Sequence, residues 1–271
     1  MSHPGWKGDP ILDDLTAETE SLLGIVDGLG EGSEGIDRVT PSDPWTVRDQ
    51  LSHLAGFDVK ARIAATDPER FTAELAEDFA DGGDAMMEQQ FAEGRAMTAE
   101  QVVAWLRTER TALISAFLDL DPEERIPWYG PPMKTRSSAV ARLMETWAHG
   151  VDVADALGVV REPTDRLFHV AELGVKTFRF SFQNRGLAVP GERVRVELTG
   201  PGGDVRTWNV DSEDSVTGPV EDFCLVIAQR RHLRDTGLQV RGPVAEAWMT
   251  HAQVFAGPPG PGREPSSRTQ G

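Results

Sequence analysis

A carboxylate and an imidazole occur at helical spacing in the segment RLMETWAHGVDVADAL, where Glu145 precedes His149 by four residues. Residues four apart lie one above the other on the same face of an α-helix. Zinc and related divalent ions accept both kinds of ligand at about 2 Å, and three protein ligands leave one coordination position open for water or a substrate atom. The spacing therefore predicts part of a metal site, whose third ligand must come from another element.

His53 is the natural candidate for that third ligand. It lies in the middle of a second helical pattern, among Leu51, Leu54 and Phe57, where a polar ring has little other reason to point inward. The alternative is that the acid and the imidazole of the first segment form an ordinary surface ion pair, which stabilises a helix by only about 0.2–0.5 kcal/mol. Spacing alone leaves both interpretations open.

Charged residues near these positions also have two interpretations each. Asp152, three residues after His149, is predicted either to orient a ligand or to be a fourth ligand. Asp49, one turn before His53, is predicted to orient that ring. For both acids, simple exposure to solvent is the alternative. Arg142 is a candidate for binding a substrate carboxylate, and the alternative is that it pairs with an acid.

The segment IPWYGPPMK directly precedes the Glu145 helix. Three prolines and a glycine exclude a regular helix there, so we predict an ordered, aromatic loop. Trp128 and Tyr129 are candidates for the mouth of a pocket, and packing in the core is the alternative. Tyr129 thus joins Arg142 and Asp152 as the candidates for a catalytic role.

Composition excludes several classes of protein. The formal net charge of -17 and a pI near 4.7 disfavour a nucleic-acid partner, because such proteins need clustered Lys and Arg. The single cysteine, Cys224, lies in an apolar run, which excludes an intramolecular disulfide and predicts a small buried side chain. The acidic N-terminus is unlike a signal peptide, and no apolar stretch approaches the roughly 20 residues of a membrane span. We therefore predict a cytoplasmic protein without a membrane partner.

Helical signals dominate the first two thirds of the chain. Capping boxes predict helix starts at Thr46 and Thr98, and Gly158 is well placed to end the helix of Glu145. The acidic stretch 67–95 is predicted to form short helices or a mobile segment.

The hydrophobic period changes to two near residue 194, which predicts strands. We therefore predict an α+β protein with a helical domain over 1–185 and a small α+β domain over 186–257. The remaining residues, 258–271, are rich in Pro, Gly, Ser and Arg and are predicted to be disordered.

Two segments carry a family resemblance: WTVRDQLSHLAGFD, and some 90 residues later ARLMETWAHGVDVADALG. Together they resemble the metal-binding N-terminal domain of the mycothiol-dependent maleylpyruvate isomerases, within the DinB-like four-helix superfamily. The segment TGPVEDF and the arginine-rich helix after it are similar to that family's small, sterol-carrier-like α+β domain. The resemblance implies a four-helix bundle whose metal ligands match His53, Glu145 and His149.

The same resemblance implies a reaction class. It points to an isomerase or thiol S-transferase that uses mycothiol, the thiol of actinomycetes, as a co-substrate with a small electrophile. Zinc is the first choice of metal, although nickel, iron and manganese also suit two imidazoles and a carboxylate. Activation of water is the hydrolytic alternative, and a non-catalytic metal-binding or small-ligand-binding protein is the alternative outside enzymes. A monomer or a homodimer fits equally well.

Overall fold

The computed structural model describes residues 3–78 and 84–266 and divides the chain into two compact units, Met1–Arg161 and Glu162–Gly271. The elements of the first unit, in chain order, are α1 (Ile11–Val26), α2 (Val47–Thr66), α3 (Pro68–Asp78), α4 (Asp84–Arg95), α5 (Ala99–Asp119), β1 (Arg125–Ile126), β2 (Met133–Lys134) and α6 (Thr135–Leu157). Within the described ranges, no helix is long and apolar enough to cross a membrane.

Four helices of this unit form the predicted bundle. Helix α2 packs against α5 and α6, and α1 packs against the same two helices, so the four close a ring. The seam is filled by apolar residues that recur at three- and four-residue spacing, which places them on one face of each helix. Its fully buried members include Leu22, Leu51, Leu54, Val102 and Leu106.

The ends of the site-bearing helices follow their sequence signals. Thr46 caps α2 by accepting from Asp49 N, while the Asp49 carboxylate accepts from Thr46 N at 3.0 Å. Thr98 and Gln101 form the same reciprocal box at the start of α5. Gly158 adopts a left-handed φ of 68° after α6, a conformation that costs glycine little. The cap of α2 thus fixes the helix two turns before His53.

The stretch 67–95 forms α3 and α4, which agrees with the first of the two predicted alternatives; residues 79–83 lie outside the described part of the chain. The IPWYGPP segment is a loop, as predicted, and it connects the two short strands β1 and β2. These pair antiparallel, with Arg125 opposite Lys134. The hairpin delivers the chain directly into α6.

The second unit contains the predicted mixture of helices and strands. Its elements are α7 (Leu167–Lys176), α8 (Phe178–Gln183), β3 (Arg195–Thr199), β4 (Val205–Trp208), β5 (Ser215–Pro219), α9 (Val220–Ile227), β6 (Gln239–Arg241) and α10 (Pro243–His251). The sheet has the order β4-β3-β5-β6, with β3 and β5 parallel and the other neighbours antiparallel. The chain as a whole is therefore α+β.

The boundary between the units differs from the predicted position at residue 185. It falls between Arg161 and Glu162, because α7 packs against α9 and α8 packs against α10. Helical periodicity at 164–182 identifies helices but does not say which core they join.

Part of the predicted disordered tail is held by hydrogen bonds. Residues 258–266 contain neither helix nor strand, yet Arg185 donates to the Gly260 carbonyl at 2.6 Å and Ser266 N donates to Asp235 at 2.8 Å. Residues 267–271 lie outside the described part of the chain.

A charged cluster lies inside the bundle. Asp58 on α2 accepts from Arg110 Nε of α5 at 2.7 Å and from Arg142 Nε of α6 at 3.0 Å, and all three side chains are buried. Arg110 also donates to the hydroxyls of Thr19 and Thr146. Burial lowers the pKa of the Arg110 guanidinium, and the charge of Asp58 opposes that shift. One carboxylate thus neutralises part of the charge of two cations from different helices.

Replacement of Asp58 by Asn should destabilise the protein strongly, because two buried guanidinium groups lose their counter-ion. Breaking a buried ion pair in this way costs about 3–5 kcal/mol. The control is Glu20→Gln, which removes a partner of Arg107 from an exposed pair and should cost about 0–1 kcal/mol. Urea unfolding followed by circular dichroism measures both, and equal costs for the two variants would contradict the assignment.

Cys224 should be chemically silent in the folded protein. Burial raises the pKa of its thiol well above the ordinary value, and Glu221 adds to the shift, so the reactive thiolate is scarce at every pH below that raised pKa. Ellman's reagent at about pH 8 should detect no thiol in the native protein and about one per chain in denaturant. Rapid modification of the native protein would show that the side chain is accessible.

Candidate metal centre

Two helices bring the three predicted ligands together. His53 comes from α2, and Glu145 and His149 come from successive turns of α6. Oε2 of Glu145 lies 3.1 Å from Nε2 of His149 and 3.9 Å from Nε2 of His53. One ligand atom from each residue lies within 4.8 Å of the other two. The cluster is therefore compact enough to surround a single ion.

The cluster is largely shielded from water. The side chains of His53, Glu145 and His149 are 12%, 21% and 8% exposed. The Trp45 ring stacks on His149 with centroids 5.8 Å apart, and Phe57 covers His53 at 4.7 Å. Solvent thus reaches the centre mainly at the carboxylate.

Burial and mutual charge set the ionisation of the cluster. Burial is the main reason why the pKa of His53 falls to about 4, and the charges of His149 and Arg142 lower it further against the opposing effect of Glu145. Burial would raise the pKa of Glu145, but its hydrogen bond with His149 and its charge interactions with both histidines hold that pKa well below its usual value. At neutral pH the centre therefore offers a neutral His53 and an ionised Glu145, the forms that bind a cation.

The nitrogen and oxygen atoms of the cluster suit a divalent metal ion. Nδ1 of His53 is buried and has no hydrogen-bond partner among the described residues, and its Nε2 stays 3.9 Å from Glu145, beyond hydrogen-bond length. A buried polar atom without a partner costs about 1–3 kcal/mol. Two imidazoles and a carboxylate with this unmet demand suit a divalent ion with nitrogen and oxygen ligands.

The predicted supporting residues have other partners. Arg142 is buried and donates to Asp58 and to the Leu54 carbonyl at 3.2 Å, which is the predicted alternative of pairing with an acid. The Asp152 carboxylate accepts from the Ser42 hydroxyl at 2.9 Å and does not belong to the three-residue cluster. A role for Asp152 in orienting a ligand, or as a fourth ligand, stays a prediction.

Asp49 does not orient His53 and is not exposed to solvent. Its carboxylate is buried, and it caps α2 and accepts from Arg95 at 3.0 Å. Both predicted interpretations of Asp49 were wrong, because a capping box uses the carboxylate at the third helical position for the backbone of the helix start.

The aromatic loop lies one ring away from the cluster. Trp128 and Tyr129 contact Phe57, with centroids 6.3 and 5.9 Å apart, and Phe57 in turn contacts His53. The Tyr129 hydroxyl donates to Met86 Sδ at 3.1 Å. These two rings therefore pack against Phe57, which covers His53.

Sequence reasoning missed Gln50 and Trp45. Gln50 is fully buried on α2, and its carboxamide oxygen is hydrogen-bonded to Nδ1 of His149. A signal was present, since a glutamine between Asp49 and Leu51, on the turn before His53, is polar where the helix meets its neighbours. The position of Trp45 depends on the loop before α2 and has no periodic signal.

Comparison with known proteins places these observations in a family. The model of the mycothiol maleylpyruvate isomerase N-terminal domain matches residues 15–154. Two solved structures, of the mycothiol-dependent maleylpyruvate isomerase and of a histidine-to-alanine mutant of it, share the fold with TM-scores of 0.56 and 0.57. Both are 14% identical in sequence, and the match covers 87% of this chain and 94% of theirs.

Closer in sequence are two proteins of Mycobacterium tuberculosis, from strains H37Rv and CDC 1551, that are described as uncharacterized. Each is 40% identical over 264 residues, which span 97% of this chain and 100% of the relative. The family model covers the α1–α6 bundle from Leu15 onward and includes all three residues of the cluster. The chain belongs to the mycothiol maleylpyruvate isomerase N-terminal domain family.

Proposed function

We propose that the protein is a metal-dependent enzyme that activates a low-molecular-weight thiol for attack on a small electrophilic substrate, as an isomerase or S-transferase. The observation that carries this proposal is the convergence of two imidazoles and one ionised carboxylate at a shielded point that solvent still reaches. His53, Glu145 and His149 would hold the ion. Zinc is the first choice, and nickel, iron or manganese also suits these ligands.

A divalent ion at this point would lower the pKa of a bound thiol and so supply a thiolate near neutral pH. The chain itself contributes the environment of that group. Trp45 and Phe57 exclude water from two sides of the cluster, which strengthens electrostatic interactions there. Glu145, the most exposed of the three ligands, marks the side from which a substrate enters.

The thiol must come from another molecule. The only cysteine of the chain, Cys224, is buried, and its pKa is raised well above the usual range. The family name contains mycothiol, and the fold neighbours are described as mycothiol-dependent, which supports mycothiol as the co-substrate. Three protein ligands rather than four favour a catalytic ion over a purely structural one.

Metal content tests the first half of this proposal. Untagged protein should contain about one equivalent of a divalent metal, and His149→Ala should lose most of it because two ligands hold an ion far less tightly than three. Elemental analysis of both proteins provides the measurement. The control is His251→Ala, a histidine of the second unit, which should keep the metal. A wild-type protein without stoichiometric metal, before and after zinc loading, would overturn the proposal.

Thiol binding tests the second half. When the zinc-loaded protein is mixed with mycothiol, X-ray absorption at the zinc edge should show a new sulfur neighbour at about 2.3 Å. S-methylated mycothiol, which cannot ionise, is the matched control and should leave the spectrum unchanged. Unaltered nitrogen and oxygen coordination in excess mycothiol would favour a hydrolytic or non-catalytic protein instead.

A further inference from the structure

A short chain of hydrogen bonds lies behind His149, on the side away from Glu145. Nδ1 of His149 is bonded to the carboxamide oxygen of Gln50. The Gln50 amide nitrogen donates to the Thr40 hydroxyl at 2.9 Å, and that hydroxyl donates to the Trp45 carbonyl at 2.8 Å. Gln50 is fully buried and Thr40 is nearly so, so these bonds do not compete with bulk water.

Thr40 orients the Gln50 carboxamide when its hydroxyl donates to the Trp45 carbonyl. A hydroxyl has one proton and two acceptor positions. Its proton goes to the Trp45 carbonyl, which can only accept, and its two acceptor positions take Ser42 N at 3.3 Å and the Gln50 amide. With the hydroxyl used in this way, the nitrogen of the Gln50 carboxamide faces Thr40, and its oxygen faces His149.

The orientation of Gln50 then determines the tautomer of His149. A carboxamide oxygen only accepts, so Nδ1 of His149 carries a proton. In the neutral ring, which is the form that binds a metal ion, Nε2 then has no proton, and its lone pair points at Oε2 of Glu145, 3.1 Å away. Two acceptor atoms this close repel each other unless a cation or a proton lies between them.

We propose that Gln50 is a positioning residue that keeps Nδ1 of His149 protonated and thereby presents the Nε2 lone pair to the metal ion. The inference rests on the proposed metal site and adds a residue to it. Partners that fix the tautomer of a histidine ligand typically contribute 10- to about 100-fold to metal affinity. Thr40 acts on Nδ1 of His149 indirectly, because it holds the Gln50 carboxamide in the required orientation.

Zinc affinity provides the first test. Zinc alone is titrated against a chromogenic chelator into full-length protein. Gln50→Leu, which removes the acceptor, should weaken binding about 10- to 100-fold. Gln50→Met, a flexible apolar side chain, should do the same and serves if the leucine variant fails to fold. Gln253→Leu is the matched control: this glutamine of the second unit is also buried and bonded to backbone carbonyls, and its loss should leave zinc affinity unchanged.

Gln50→Glu separates positioning from packing. A carboxylate still accepts from Nδ1, and Thr40 can turn its proton toward it because the Trp45 carbonyl keeps a bond from Thr40 N at 2.8 Å. This variant should bind zinc within a few-fold of the wild type. Affinity as weak as that of Gln50→Leu would overturn the proposal, and so would unchanged affinity in both apolar variants.

The tautomer itself is the second readout, and it needs no metal. Nitrogen-15 NMR of metal-free protein, with the His149 signals identified by their loss in His149→Ala, should show a proton on Nδ1 in the wild type. In Gln50→Leu the Nδ1 proton has no acceptor, so the ring proton should move to Nε2, which faces Glu145. A wild-type ring protonated only on Nε2 would refute the role of Gln50. Wild-type protein that binds no zinc would refute the proposed function, while its tautomer would still decide the role of Gln50.

Discussion

The structure depends on the antiparallel pairing of α2 with α6 through polar side chains that the bundle buries. Three residues of α2 in chain order contact three residues of α6 in reverse order. The pairs are Gln50 with His149, His53 with Glu145, and Asp58 with Arg142. The outer two contacts are complete hydrogen bonds, whereas the middle contact is 3.9 Å long. The outer pairs hold the helices in register, and the middle of the seam is left with donors for an ion.

Burying these charged groups costs free energy of hydration, and this cost explains why charged partners and aromatic rings surround them. Charged groups lose hydration when they are buried, and the interior tolerates them only when each has a partner. Asp58 partly neutralises two arginines, and Glu145 stays ionised because two imidazoles face it. The Trp45 and Phe57 rings cover the two histidines and leave the carboxylate as the side that solvent reaches. Because these groups stand on helices of the bundle and on a loop bonded to them, the fold fixes the positions of the three ligand-type side chains.

Sequence patterns were sufficient for features that one segment encodes by itself. Helix caps at Thr46 and Thr98 and the four-residue spacing of Glu145 and His149 are local, and they appear in the structure where they were predicted. Contacts between helices are not local. The pattern of residues within α2 does not predict that Asp58 contacts Arg110 and Arg142, or that Gln50 contacts His149. The unit boundary near residue 161 likewise depends on which helices pack together. Strand β5 has no clear pattern of its own for a related reason: with Val216 as its only large apolar residue, it is defined by its neighbours in the sheet.

The central claim is that His53, Glu145 and His149 surround one divalent ion. Diffraction from zinc-loaded crystals, recorded on both sides of the zinc absorption edge, tests it directly. The account predicts a single anomalous peak about 2.0–2.2 Å from one nitrogen of each histidine and one oxygen of Glu145, with Nδ1 of His149 still bonded to Gln50. A map without a peak between these side chains, or with zinc bound only elsewhere, would contradict it.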